Sequence, residues 1–282
     1  MIFDSVAIIL LFGGIAFFTN WVAWKRGFFH LPQVHRLPIT WKQVVGVFAI
    51  YLSMTFLIAP YLNAHLIGLY NPYPPPVWMS NFIQLLLLST LVVALLLFCR
   101  SHGHHITLKI WKDPALPTRK PILYDFMLGA LTWCIGFPAA SVVNQVLDFS
   151  VELFSGFKSQ EQVAVHYLRS ALQTPSQFFI ALLSILIIAP IVEEFIFRGC
   201  LQTYLKRHLG RNAALLLSSL CFALLHFSNS QGVTNISLIP TLFVFGGYLG
   251  YLYERQASLF ASIGLHMTFN LASALRIIFG GA

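Results

Sequence analysis

The sequence predicts an all-α, polytopic transmembrane helical bundle of about eight spans, on three observations. Of its 282 residues, 57% are hydrophobic and only 9% charged, whereas an ordinary soluble domain is roughly 25% charged. Mean hydropathy is +0.76, which leaves too little polar surface to keep a chain of this length dispersed in water. Apolar runs long enough to cross a bilayer recur from end to end, without the alternation that a barrel would need. No long polar linker divides the chain, so length favours one bundle over two soluble domains.

Taken in order, the expected spans are about 5–24, 44–66, 79–99, 122–147, 177–205, 212–228, 236–253 and 257–278, each near the ~20 residues that a helical span requires. The first follows MIFDSV, which lacks a basic n-region, and no small-residue cleavage site follows it. It reads as a retained span and not a signal peptide. The polar stretch FKSQEQVAVHYLRSALQTPSQ between the fourth and fifth spans suits an interfacial amphipathic helix. Cys99, Cys134, Cys200 and Cys221 lie in or beside apolar runs without paired spacing, as small buried hydrophobes do.

Loop charges predict the orientation. Lys25, Arg26, Arg36 and Lys42 follow span one without an acid. Arg100, Lys109, Lys112, Arg119 and Lys120 follow span three against Asp113, and Lys206, Arg207 and Arg211 follow span five. The intervening loops 61–78 and 229–238 carry no charge, and 148–176 has Lys158 and Arg169 against three acids. Basic residues concentrate in cytoplasmic loops, so both termini are expected outside the cytoplasm. That rule also accounts for the net charge of +8 without invoking nucleic acid. The host is unstated by the sequence, so the compartment is expected to be the plasma or inner membrane if prokaryotic.

Ionisable groups inside a bilayer are costly and usually functional. They cluster in the last third: Glu193, Glu194 and Arg198 in span five, His226 ending span six, and His266 with Asn270 in span eight. Asp125, at the start of span four, is expected at the interface and solvated. Glu194 and Arg198 stand i, i+4 in the favoured order for an intrahelical ion pair. Glu193 points about 100° away from Glu194 and is left unpaired, a general-base candidate. His266 and Asn270 also share a face at i, i+4. Counted from the assigned cytoplasmic ends, Glu193, His226 and His266 lie roughly 15, 21 and 12 Å deep at ~1.5 Å per residue, so they can converge. Pro190, one turn before Glu193, is expected to loosen span five and free backbone carbonyls near the site. His102, His104 and His105 resemble a metal tract but fall in a basic loop, and read as solvated.

Three motifs, Glu193-Glu194-x-x-x-Arg198, Phe222-x-x-x-His226 and His266-x-x-x-Asn270, stand in this order on spans five, six and eight. Between the last two lies Phe243-x-x-Gly246-x-x-x-Gly250-x-x-Tyr253. Together they resemble the CPBP family: the type II CAAX prenyl proteases and the bacteriocin-processing or immunity-associated (Abi) membrane proteins. The resemblance divides the chain into 1–176, a transmembrane region of unassigned role, and 177–275, a catalytic core. It implies an intramembrane endopeptidase in which Glu193 and His226 activate a water, and His266 and Asn270 stabilise the oxyanion. Glu194 and Arg198 would be structural support, and no cofactor would be needed. In the alternative, Glu193, His226 and His266 are zinc ligands. HExxH is absent, and each candidate ligand comes from a different helix. The implied partners are the bilayer and a peptide or membrane-protein substrate, prenylated or not. A non-catalytic scaffold or immunity protein would use the same polar cluster for packing alone. A transporter is disfavoured, because no internal repeat or paired broken helices can be read.

Overall fold

A computed structural model describes residues 2–32, 36–68, 77–113, 120–157, 163–172 and 174–280. Arg119 and Lys158, two of the loop charges counted above, lie outside these residues. The described chain is helical, its one bridge outside helices joining Lys112 and Ser258. In chain order the α-helices are α1 (Ile2–Lys25), α2 (Trp41–Leu52), α3 (Ala59–Gly68), α4 (Val77–Trp111), α5 (Ile122–Ser155), α6 (Val163–Ala171), α7 (Pro175–Leu183), α8 (Ala189–Glu194), α9 (Thr203–Leu209), α10 (Arg211–Leu224), α11 (Asn235–Gln256) and α12 (Leu259–Phe279). π-helical turns at Ser53–Ile58, Ser184–Ile188 and Phe195–Gln202 fuse α2 to α3 and α7 through α8 to α9. The latter makes one continuous rod, Pro175–Leu209.

Among the described residues, seven helices are long and apolar enough to span a membrane. This is an integral, multi-pass membrane protein. The expected span 212–228 differs in extent. It is α10, 14 residues long and about 21 Å at 1.5 Å per residue, short of the ~30 Å hydrocarbon core. The helix stops because His226 N–H turns back to Ala223 O, and the polar run that follows forms a 3-10 turn, Asn229–Thr234. α11 then returns along α10.

Ion pairs and hydrogen bonds tie the basic loops together at one end of the bundle. Glu254, near the end of α11, binds Lys206 Nζ at 2.8 Å and Arg211 Nε at 3.3 Å. Arg211 also donates to Pro32 O, and Arg255 and Tyr251 donate to Phe28 O. Asp113 N–H donates to Ala257 O after α4. Loops one, three and five, which alternate in charge with their neighbours, therefore share a face of the molecule. Two sequence expectations are corrected here. Asp125 is 2% exposed and paired with Lys112 Nζ at 2.6 Å, because α4 runs past its expected end at 99 and brings Lys112 over the start of α5. For the same reason His102, His104 and His105 lie within α4, which kinks at Gly103 (φ 146°), and not in a loop; all three are exposed, as a solvated cluster requires, and the His102 ring stacks on Phe98.

The core joins both halves of the chain, with Leu37, Val47, Leu91 and Leu95 packing in one cluster with Phe197, Phe222, Phe245 and Leu265. α12 crosses α5 so closely that a Cβ on Gly129 would strike the Ala261 carbonyl, and one on Gly264 the Phe126 carbonyl. The obstacle is backbone on both sides and cannot rotate away. Gly264→Val should therefore cost about 1–3 kcal/mol or more as overpacking, read as a fall in thermal unfolding temperature in detergent. Gly247→Val meets open space and serves as the control.

Candidate active site

Glu193 leaves α8 between two π-turns, the kind of local helix widening that recurs at functional sites. Its Oε2 lies 3.9 Å from His226 Nε2 and 3.8 Å from His266 Nε2. The four expected residues, Glu193, His226, His266 and Asn270, all line one cavity of about 530 Å³, a size typical of ligand sites. One face of α12 supplies His266, Phe269, Asn270, Ser273, Ala274 and Ile277 to its wall, a run of roughly 16 Å along the helix. Apolar side chains of α6, α11 and the π-turn complete most of the rest.

Hydrogen bonds at the far ring nitrogens fix both imidazoles. His226 Nδ1 lies 2.8 Å from Phe222 O. A carbonyl can only accept, so Nδ1 carries the proton, and a neutral His226 presents the Nε2 lone pair towards Glu193. His266 Nδ1 lies 2.9 Å from Glu194 Oε1, with the same consequence. A neutral His266 thus offers an acceptor at Nε2, and it becomes a donor there as an imidazolium held between Glu194 and Glu193. With both imidazoles neutral, Glu193, Glu194 and Arg198 sum to one negative charge, and one imidazolium brings the cluster to neutrality. Phe222 and Phe245 meet the His266 ring edge-on at 5.8 and 5.5 Å and hold its plane.

Glu194 and Arg198 form the ion pair read from their spacing, NH1 to Oε1 at 3.1 Å, with both side chains fully buried. The same Oε1 accepts from His266, while Oε2 has no hydrogen-bond partner among the described residues. Arg198 reaches on to Gly246 O at 3.2 Å, and Gln202, one turn later, to Gly250 O at 2.9 Å. The small-xxx-small step of α11 is therefore a groove for two polar side chains. A Cβ at Gly250 would sit 2.6 Å from Gln202 Oε1.

Asn270 is held by a device that Pro190 creates. Ala189 N–H bonds to Ser184 O with π spacing, so the next carbonyl, Ile185 O, should receive the N–H of residue 190. Proline has none. Asn270 Nδ2 donates to Ile185 O instead, at 2.9 Å, which leaves its second amide N–H free to serve a ligand. Pro190→Ala restores a competing backbone donor. The helix should keep or gain stability, while activity should drop several-fold as Asn270 loses its anchor; thermal unfolding and turnover measured together check this.

Sequence reasoning missed the Glu194–His266 bond, the cavity wall given by Val165, Tyr167 and Leu168 of α6, and Gln231, which donates to His226 O at 3.4 Å. Spacing along one helix carries no signal of which way a second helix is rotated, and Gln231 stands in a loop with no periodicity. Among the described residues, no group of three His, Cys, Asp or Glu side chains is spaced to hold a metal ion as it stands. Residues 175–272 match the family model for type II CAAX prenyl endopeptidase Rce1-like, in agreement with the motif resemblance. No curated protein matches the chain, and no solved structure does.

Proposed function

From the premise that residues 175–272 match the Rce1-like type II CAAX prenyl endopeptidase family model, we propose that this chain hydrolyses a peptide bond of a membrane-associated substrate with a water held by Glu193 and His226. The observation that carries the reading is the convergence of the Glu193 carboxylate with two imidazole Nε2 atoms at 3.8 and 3.9 Å on the wall of the cavity. These separations exceed a direct hydrogen bond and suit a bridging water, which at ~2.8 Å from each group subtends about 90°. Glu193 takes the proton of the attacking water, and His226 orients that water through its Nε2 lone pair. His266, as imidazolium, and the second N–H of Asn270 receive the oxyanion. The mostly apolar cavity suits a hydrophobic peptide or a prenylated one.

The second reading is zinc-dependent, on the same three residues. It is favoured by the occupied Nδ1 atoms, since a metal-ligating imidazole commonly donates its other N–H to a carboxylate or a carbonyl. Glu193, His226 and His266 would draw together onto the ion, which would supply Lewis-acid activation of water. Metal analysis of the purified protein, with activity before and after chelation, separates the two readings. The proposed topology puts the basic loops in the cytoplasm and both termini on the far side.

Peptide-terminus proteomics of wild-type and Glu193→Ala cells tests the activity. New or lost C- or N-terminal peptides in the variant support it. Identical termini, with the variant merely losing abundance, would instead favour a packing scaffold.

A further inference from the structure

Gln231 is 3% exposed, contributes to the wall of the cavity beside His226, and has no hydrogen-bond partner at its Oε1 among the described residues. The orientation of its amide is settled by its one contact. Nε2 lies 3.4 Å from His226 O, and only the NH2 end can face a carbonyl. The acceptor end is thereby turned away from His226 O and left unused.

The loop that carries it is built to stay in place. Asn235 receives the Ser228 N–H at 3.2 Å and donates to Ser228 O at 2.8 Å and to Gly232 O at 2.9 Å. Gly232 takes φ +47°, a conformation that glycine adopts without strain, and so turns the chain immediately after Gln231. The single 3.4 Å contact does little to stabilise the fold, and a buried acceptor without a partner costs stability. Such a group in a native structure calls for a reason. A peptide chain drawn into an apolar cavity brings backbone N–H groups that must also find acceptors. Two unmet needs meet beside the same imidazole.

We propose that Gln231 is a substrate-positioning residue whose Oε1 accepts a backbone N–H of the substrate peptide next to the scissile bond. This rests on the protease reading above and adds a specificity element to it. The main-chain contact fixes the register of the substrate at His226, whatever its side chains.

The test uses the full-length protein in detergent or nanodiscs and a peptide ending in prenylated Cys-aliphatic-aliphatic-X. A series of analogues has each amide flanking the scissile bond replaced in turn by an ester, which deletes one N–H. Gln231→Leu should lower kcat/KM by about tenfold, the size of one lost hydrogen bond, at an unchanged unfolding temperature. One ester analogue should cost the wild type a similar factor and cost Gln231→Leu nothing further. Gln231→Glu, which when protonated keeps both a donor for His226 O and a carbonyl acceptor, should restore most of the activity and covers the case in which the leucine variant misfolds. Equal ester sensitivity in the wild type and in a folded Gln231 variant overturns the proposal while leaving the protease intact. Failure of the wild type to cleave any peptide that Glu193→Gln also leaves uncut removes the protease reading itself.

Discussion

Glu193→Gln is expected to lower kcat/KM by about 10³-fold, within the 10²–10⁴ range of a positioned general base, and to leave the fold intact. The substitution is isosteric, and Glu193 makes no direct hydrogen bond to either histidine: its Oε2 stands 3.8 and 3.9 Å away. Nothing that holds the helices together is removed. Single-turnover cleavage and thermal unfolding, measured on the same preparation, check both halves. Activity within about tenfold of wild type would mean that the water is activated elsewhere. A collapse in stability would mean that the carboxylate serves packing. His226→Ala should fall alongside it, and the double variant should be little worse than either single one, since two groups on one water act as a unit.

Arg198→Met should destabilise the protein by about 3–5 kcal/mol, the usual result of stranding one member of a buried ion pair. Arg198 is 0% exposed, as is Glu194, and its guanidinium also serves Gly246 O and packs 4.4 Å over the Phe222 ring. Lysine is a poor rescue, because a single ammonium cannot span Glu194 and Gly246 in the fixed fork of arginine. The double variant Glu194→Gln/Arg198→Met should recover part of the loss, since no unpaired charge then remains. It should stay catalytically weak, because His266 Nδ1 would face a neutral amide instead of the carboxylate now 2.9 Å away. Thermal unfolding in detergent reads the first effect, and turnover of the refolded double variant the second. An Arg198→Met protein as stable as the wild type would show that the pair is solvated.

Glu194 separates what was legible from what was not. Its ion pair with Arg198 follows from i, i+4 spacing, and the pair is there at 3.1 Å. Its bond to His266, 72 residues away along the chain, follows from no spacing, because it depends on how α12 is rotated against α8. Pro190 was half legible. That it frees a carbonyl is a property of proline, but that the carbonyl is Ile185 O and its new donor Asn270 depends on a π-turn that no residue pattern announced. Asp125 was misread, since the length of α4 past its kink at Gly103 decides whether Lys112 can reach it.

The sequence by itself determined the environment and the ingredients. Hydropathy, the paucity of charge and the alternation of basic loops specify a multi-pass helical bundle, because a bilayer leaves the backbone only helices or a closed barrel, and the apolar runs lack a barrel's alternation. The ordered motifs specify which polar residues lie inside it. Only the tertiary structure decided how those residues address one another: Glu193 towards both Nε2 atoms, Glu194 behind His266, Asn270 on Ile185 O, and Gln231 with an acceptor to spare. Periodicity along a helix fixes relations within that helix. Relations between helices are set by close packing, here by the glycine contacts of α5 with α12 and of α11 with Arg198 and Gln202, which lock the rotation of each against its neighbour.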